Sequence, residues 1–165
     1  MPRAKGFTLI ELLIVVALIL VIAAITIPCL VQSKISADEA SAVASIRAIN
    51  AAEISYEATY GGYADTLANL GGAEPCAKSA TTACLLDQGL AQGVKSGYNF
   101  AAIGKSAGGG ANATYIAGAA PVVFDHTGIR RFCSTEKNVI RVDPNSSGRI
   151  TLPEAEECSQ FKSLN

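Results

Sequence analysis

Gly6-Phe7-Thr8-Leu9-Ile10-Glu11-Leu12-Leu13-Ile14-Val15-Val16 opens the stretch whose reading decides the fold. Arg3 and Lys5 precede it, and after Glu11 no charged side chain occurs until Lys34. The 22 residues from Leu12 to Ser33 are therefore almost pure hydrocarbon. As an α-helix they reach about 30 Å, the thickness of a bilayer core. A secretory signal is a poor description, because the apolar run is too long and no A-x-A-like site follows Val31. A plain anchor accounts for the length but not for Glu11. A carboxylate at the edge of a membrane helix costs a few kcal/mol to insert and is a functional candidate by default.

Working outward, the chain changes character at Lys34. The 165 residues are 50% apolar overall, yet beyond Lys34 the composition is polar and rich in Ala, Gly and Ser. That leaves room for one ordinary domain plus the apolar appendage. Ile35, Ala42, Ile46, Ile49, Tyr56 and Tyr60 fall on one helix face, with no Gly or Pro before Gly61. Asp38, Glu39, Arg47, Glu53 and Glu57 are left mainly to the other faces. The pattern predicts one helix of about 50 residues, greasy all round at first and amphipathic later. An Ala-rich stripe this short argues against a coiled coil.

Gly61-Gly62 ends that helix. Residues 61–96 read as a connecting region with short helical pieces at Ala64–Leu70 and Ala83–Gln92. Strand-like runs follow at Tyr98–Ile103, Thr114–Ala117, Val122–Asp125, Ile129–Cys133 and Val139–Val142, separated by turn residues. The expected fold is α+β, a long N-terminal helix packed on a small antiparallel sheet spanning 97–165.

Cys29 lies in the apolar run and reads as a small buried thiol, with intermolecular pairing or lipidation as alternatives. Cys76, Cys84, Cys133 and Cys158 lie in the polar part. Four cysteines pair in three ways, and sequence alone does not choose. The arrangement Cys76–Cys84 and Cys133–Cys158 is preferred because each bridge clips a local loop. Metal binding is the competing reading, but there is no C-x-x-C and His126 is the only histidine. Disulfides imply an oxidising, extracytoplasmic location.

The residues Lys5-Gly6-Phe7-Thr8-Leu9-Ile10-Glu11, followed by Leu12–Val16, closely resemble the N-terminus of type IV pilins and pseudopilins. The resemblance is strong for residues 1–35, with a short leader like the type IVa class, and looser beyond. It implies a prepilin whose leader, residues 1–6, is cut between Gly6 and Phe7 by a membrane peptidase that also methylates the new amine of Phe7. Residues 7–33 then form the membrane and assembly half of the helix, and 34–165 the pilin head. The basic leader stays in the cytoplasm by the positive-inside rule. Gly6, without a side chain, suits a crowded peptidase site. In the packed filament that the resemblance implies, the amine of Phe7 and the carboxylate of Glu11 would meet between neighbouring subunits. At about 4 Å and an effective dielectric of about 20 such a pair contributes about 4 kcal/mol before desolvation is subtracted. The plainer alternative is that Glu11 only snorkels to the interface. Pro28, where the family often carries proline, is expected to kink or loosen the helix. The run Asp125–Cys133 with Val139–Arg141 resembles the pilin sheet region, and a Cys133–Cys158 bridge would bound the C-terminal region as in many pilins.

The implied function is a structural filament subunit serving adhesion, twitching motility or DNA uptake, not an enzyme. The alternatives are a pseudopilin of a type II secretion system or a minor pilin forming an adhesive tip. Expected partners are identical subunits, the inner membrane before assembly, the prepilin peptidase and an assembly machinery with a separate ATPase. Single-pass insertion in a bacterial inner membrane would precede an extracellular pilus or periplasmic pseudopilus. No nucleic-acid partner is expected: once 1–6 are removed the chain carries 11 basic and 14 acidic side chains, and Arg130, Arg131 and Arg141 are the few candidates for a basic patch. Gly104-Lys105-Ser106 lacks the earlier glycine of a phosphate loop, having Asn99 there. His126 beside Asp125 reads as a turn residue. Asp143–Gly148 has alternating oxygen ligands, like half a calcium loop, with Glu154, Glu156 and Glu157 downstream. An Asp-Pro turn is preferred, so no cofactor is expected. Asn112 and Asn145 head glycosylation sequons of little weight.

Overall fold

The computed structural model describes residues 6–106, 108–143 and 148–164. Arg3 and Lys5 of the leader, the Pro144–Ser147 part of the calcium-like loop and the Asn145 sequon lie outside the described residues. Contacts divide the chain into two units, Met1–Lys34 and Ile35–Asn165.

A single helix, α1 (Leu9–Tyr60), contributes to both units. Its apolar portion passes through Pro28, whose nitrogen carries no hydrogen to offer the Ala24 carbonyl. The hydroxyls of this portion turn back on the helix. Thr26 Oγ1 donates to the Ile22 carbonyl at 2.8 Å and Ser33 Oγ to the Cys29 carbonyl at 3.0 Å. In hydrocarbon such bonds meet the demand of groups that water would otherwise satisfy.

In the second unit α1 lies on a six-stranded antiparallel sheet. The strands are β1 (Val94–Lys95), β2 (Tyr98–Lys105), β3 (Thr114–Pro121), β4 (Arg131–Thr135), β5 (Arg141–Asp143) and β6 (Lys162–Ser163), each paired with the next. Phe132 sits opposite Ala119 on β3 and Val142 on β5. Strand periodicity sorts the faces. Tyr98, Phe100, Tyr115, Ala117, Phe132 and Val142 join Ala42, Ile46, Ile49 and Tyr56 of α1 in one buried cluster. Alternate residues carry the opposite face, where Ile116, Cys133 and Cys158 form a smaller cluster under the C-terminal helix α3 (Ala155–Gln160). Gly118 permits this second layer, because a Cβ there would stand 3.1 Å from Pro153 Cδ.

The amphipathic face of α1 buries Ile35, Ala42, Ile46, Ile49 and Tyr56 as expected, whereas Tyr60 is 37% exposed. Two of the acids assigned to the other faces, Glu39 and Glu53, are buried. Each one clamps a backbone segment. Glu39 Oε1 accepts from the amides of Ile129 and Arg130, both at 3.0 Å, and Oε2 from Arg130 Nε at 2.7 Å. Strand β4 therefore begins at Arg131, two residues later than expected, because the helix has already taken those two amides.

Similar competition explains the other differences. The expected helix at Ala64–Leu70 shrinks to a 3₁₀ turn at Leu67–Leu70. Tyr63 and Thr66 instead make bridges to Asn112 and Ile103, and the Ala64 amide donates to Glu53 at 3.0 Å. The expected Ala83–Gln92 helix is only α2 (Gln88–Ala91), since the amides of Ala83, Cys84, Leu85 and Leu86 donate to Asn69, Gly71 and Leu70. Val122–Asp125 is a turn. Its Val123 amide and carbonyl both bond the Thr127 hydroxyl at 3.1 Å, and Asp125 adopts a φ of 61°.

A candidate assembly site at the N-terminal helix

Thr8 immediately precedes the first residue of α1, and Glu11 stands three residues later. Glu11 Oε2 accepts from the Thr8 amide at 2.9 Å and the Thr8 hydroxyl at 2.7 Å, while the Glu11 amide donates back to Thr8 Oγ1 at 3.3 Å. This reciprocal pattern is a capping box, which satisfies amides that the first helical turn leaves without partners. The T-x-x-E spacing before an apolar run, Thr8 to Glu11, is the sequence signal for this box. Two consequences follow. Glu11 is not an orphan in the single chain, since it already holds the helix start. Both side-chain bonds end on Oε2, so Oε1 can accept a further donor.

The capping box lies wholly C-terminal to Gly6–Phe7, so a cut at that bond would leave it intact. Gly6 and Phe7 are exposed, Phe7 by 82%. A Cβ added at Gly6 would meet nothing within 4 Å. Among the described residues, then, the fold places no demand for glycine at position 6.

From Leu9 to Val31 the large aliphatic side chains are exposed, including Leu20, Ile22, Ile25 and Leu30, each above 60%. The helix is long and apolar enough to cross a membrane. Exposed apolar surface on this scale has to be covered by lipid or by protein. Cys29, expected to be buried, is exposed and free in the single chain, as is the aliphatic surface around it.

The four remaining cysteines pair as preferred, Cys76 with Cys84 and Cys133 with Cys158. The second bridge is reinforced by a buried ion pair. Arg131, fully buried, donates to Asp143 Oδ2 through Nη2 at 2.6 Å and Nε at 3.1 Å, and through Nη1 to the Thr151 carbonyl at 3.2 Å. Glu157 of α3 adds a longer contact to Arg131 at 3.4 Å and one to Arg149 at 3.3 Å. Asp143 and Glu157, two of the carboxylates in the calcium-like pattern, are thus engaged with arginine. Among the described residues no group of three or more potential metal ligands occurs.

The three arginines considered for a basic patch do not form one. Arg130 is tied to Glu39, Arg131 is buried, and Arg141 Nη1 donates to the Phe161 carbonyl at 3.0 Å. Gly104 and Lys105 close β2, and Gly104 is packed against Ala64 and Asn112. His126 lies in the turn after Val123, to whose carbonyl its amide donates.

A long apolar helix with a capped carboxylate at its start, followed by an amphipathic continuation on an antiparallel sheet, defines a pilin-like α+β protein. Residues 1–27 match the prokaryotic N-terminal methylation motif. The chain is 38% identical over 70 residues to the type IV major pilin protein PilA of Myxococcus xanthus (strain DK1622). That match covers 42% of this chain and 32% of the relative, so it spans about a third of the relative's length. No solved structure matches. Motif, relative and fold together support a type IV pilin.

Proposed function

We propose that the chain is the structural subunit of a type IV pilus, cut between Gly6 and Phe7, methylated at Phe7 and assembled by packing of its apolar helix against identical subunits. The observation that carries this reading is the exposed aliphatic surface from Leu9 to Val31, headed by a capped carboxylate that lies within the methylation motif. The precursor would rest in the bacterial inner membrane with its head on the far side. The two disulfides agree with such an oxidising compartment. A head-to-tail contact that does not close repeats without limit and yields a fibre. The peptidase and a separate assembly ATPase would supply the chemistry and the power, with adhesion, motility or DNA uptake as the use. Electron microscopy of cells lacking this gene tests the proposal. Loss of surface fibres, restored by the intact gene, is expected. Unchanged fibres with a secretion defect would transfer the chain to the pseudopilins.

A further inference from the structure

The end of α1 and the loop behind it bring three tyrosines to one cavity. Tyr56 and Tyr60, four residues apart on the helix, have ring centroids 4.6 Å apart with planes tilted by 44°. Gly61, at a φ of 79°, reverses the chain. Tyr63 then comes back toward the helix, its ring 4.7 Å from that of Tyr115. Tyr56, Tyr60 and Tyr63 line a cavity of 190 Å³ whose rim includes Asp65, Ala80 and Asn112. The walls are held in place. Tyr56 donates its phenol hydrogen to the Ala80 carbonyl at 2.6 Å, and Asn112 Nδ2 bridges the Tyr63 carbonyl at 3.0 Å and Asp65 Oδ1 at 2.7 Å.

The electrostatic setting has one sign. The charged residue in the lining is Asp65, and no lysine or arginine is among the lining side chains. Burial raises the pKa of the Tyr56 phenol, with Asp65 adding to it. Burial also raises that of Tyr63, with Glu57, Glu136 and Glu53 acting in the same direction. The phenols therefore stay neutral, and their rings keep the negative faces that attract cations. At 190 Å³ the space suits a single charged group and is smaller than the roughly 300–1,000 Å³ pockets that take drug-sized ligands.

We infer that Tyr56, Tyr60, Tyr63 and Asp65 form a binding site for one alkylammonium group, held by the tyrosine rings and neutralised by the carboxylate. The same chemistry is offered by a lysine side chain and by a quaternary ammonium headgroup. An aromatic site open to solvent on one side still favours the quaternary ion, which surrenders less hydration on entry.

The test uses the full-length processed chain in uncharged maltoside micelles, with nuclear magnetic resonance of labelled tyrosines as readout. Tetramethylammonium at constant ionic strength should shift Tyr60 and Tyr63 saturably. Neopentyl alcohol, of similar shape but uncharged, should not. Tyr60→Leu, at a partly exposed position, should weaken binding about 5-fold or more, whereas Tyr60→Phe should retain it. Asp65→Asn should weaken it too, and an unchanged amide spectrum elsewhere shows that each variant is folded. Tighter binding of n-butylammonium than of tetramethylammonium supports the site and assigns it to lysine, while the reverse order supports the site and assigns it to a quaternary headgroup. Saturation by neopentyl alcohol at equal affinity, full affinity in Tyr60→Leu, or no saturable shift would each overturn the inference.

Discussion

Glu53 of α1 has no exposure to solvent, and one of its oxygens accepts from the Ala64 amide while the other has no hydrogen-bond partner among the described residues. Burial pushes its carboxyl up to about 7, only partly offset by the Ala64 bond. The titratable groups it acts on, Tyr56, Tyr63 and Tyr115, are neutral phenols, and the neighbouring carboxylates Glu57, Asp65 and Glu136 act on those same tyrosines. Among the described residues no cation acts on it to favour ionisation. The sign follows from proton binding. Between the unfolded value, about 4.5, and about 7 the folded head holds more protons than the unfolded chain, so stability falls as pH rises through that window and levels off above it. Glu53→Gln imitates the protonated acid and should flatten this dependence, adding about 3 kcal/mol at pH 8 while changing little at pH 5. Urea unfolding at both pH values measures it. At Gly6 the expectation runs the other way. A side chain there meets nothing in the described structure, so Gly6→Asp should leave the fold unharmed yet keep the precursor uncut. Intact mass would show a chain still beginning at Met1.

Among the elements, α1 was the most legible, because an apolar run followed by a periodic stripe with no Gly or Pro between Lys34 and Gly61 leaves little room for another reading. The stripe Ile35, Ala42, Ile46, Ile49 and Tyr56 found its sheet for the same reason. Strand edges were less legible wherever a distant side chain captures the backbone. Nothing local in Ile129-Arg130 reveals that Glu39, about 90 residues earlier, holds both amides. Ala64 cannot announce that Glu53 will claim its N–H. The two-residue strands β1 and β6 were missed since so short a run carries no period. At the assembly site the Thr8–Glu11 box was readable from spacing, whereas the burial of Arg131 was not: its ion pair with Asp143 exists only once β4 and β5 are in register. That pair and the Cys133–Cys158 bridge fasten the C-terminal segment to the sheet together. Replacing both cysteines with serine, across a separation of 25 residues, should therefore cost about 2–4 kcal/mol. Protection from hydrogen exchange should be lost first in residues 149–164, with the α1–sheet core retained. Uniform loss across the head would show that the bridge supports the whole domain instead.

For the molecule in its proposed role as a pilus subunit, the decisive question is what Glu11 does beyond capping its own helix. Two substitutions separate the roles. Gln at position 11 can still accept from the Thr8 amide, because a capping box tolerates Glu or Gln at that place, but it carries no charge for a neighbour's Phe7 amine. Thr8→Val removes the hydroxyl that completes the box and keeps the charge, at a cost of about 1 kcal/mol in the first turn. If the single-chain role were the important one, Thr8→Val would be the more damaging change to assembly. If pairing between subunits sets the register, the order reverses. A misaligned subunit with Glu11 is penalised by a carboxylate left without its cation in a low-dielectric core, and the penalty vanishes when the charge does. The neighbour's amine then also loses its partner. Processed Glu11→Gln protein should accordingly collect in the membrane with few or no fibres unless wild-type subunits are mixed in, while Thr8→Val should still build them. Mass spectrometry should show a chain beginning at Phe7 in both variants, and electron microscopy counts the fibres. Normal numbers of fibres from Glu11→Gln protein alone would exclude the pairing as an assembly requirement and leave Glu11 as a helix cap.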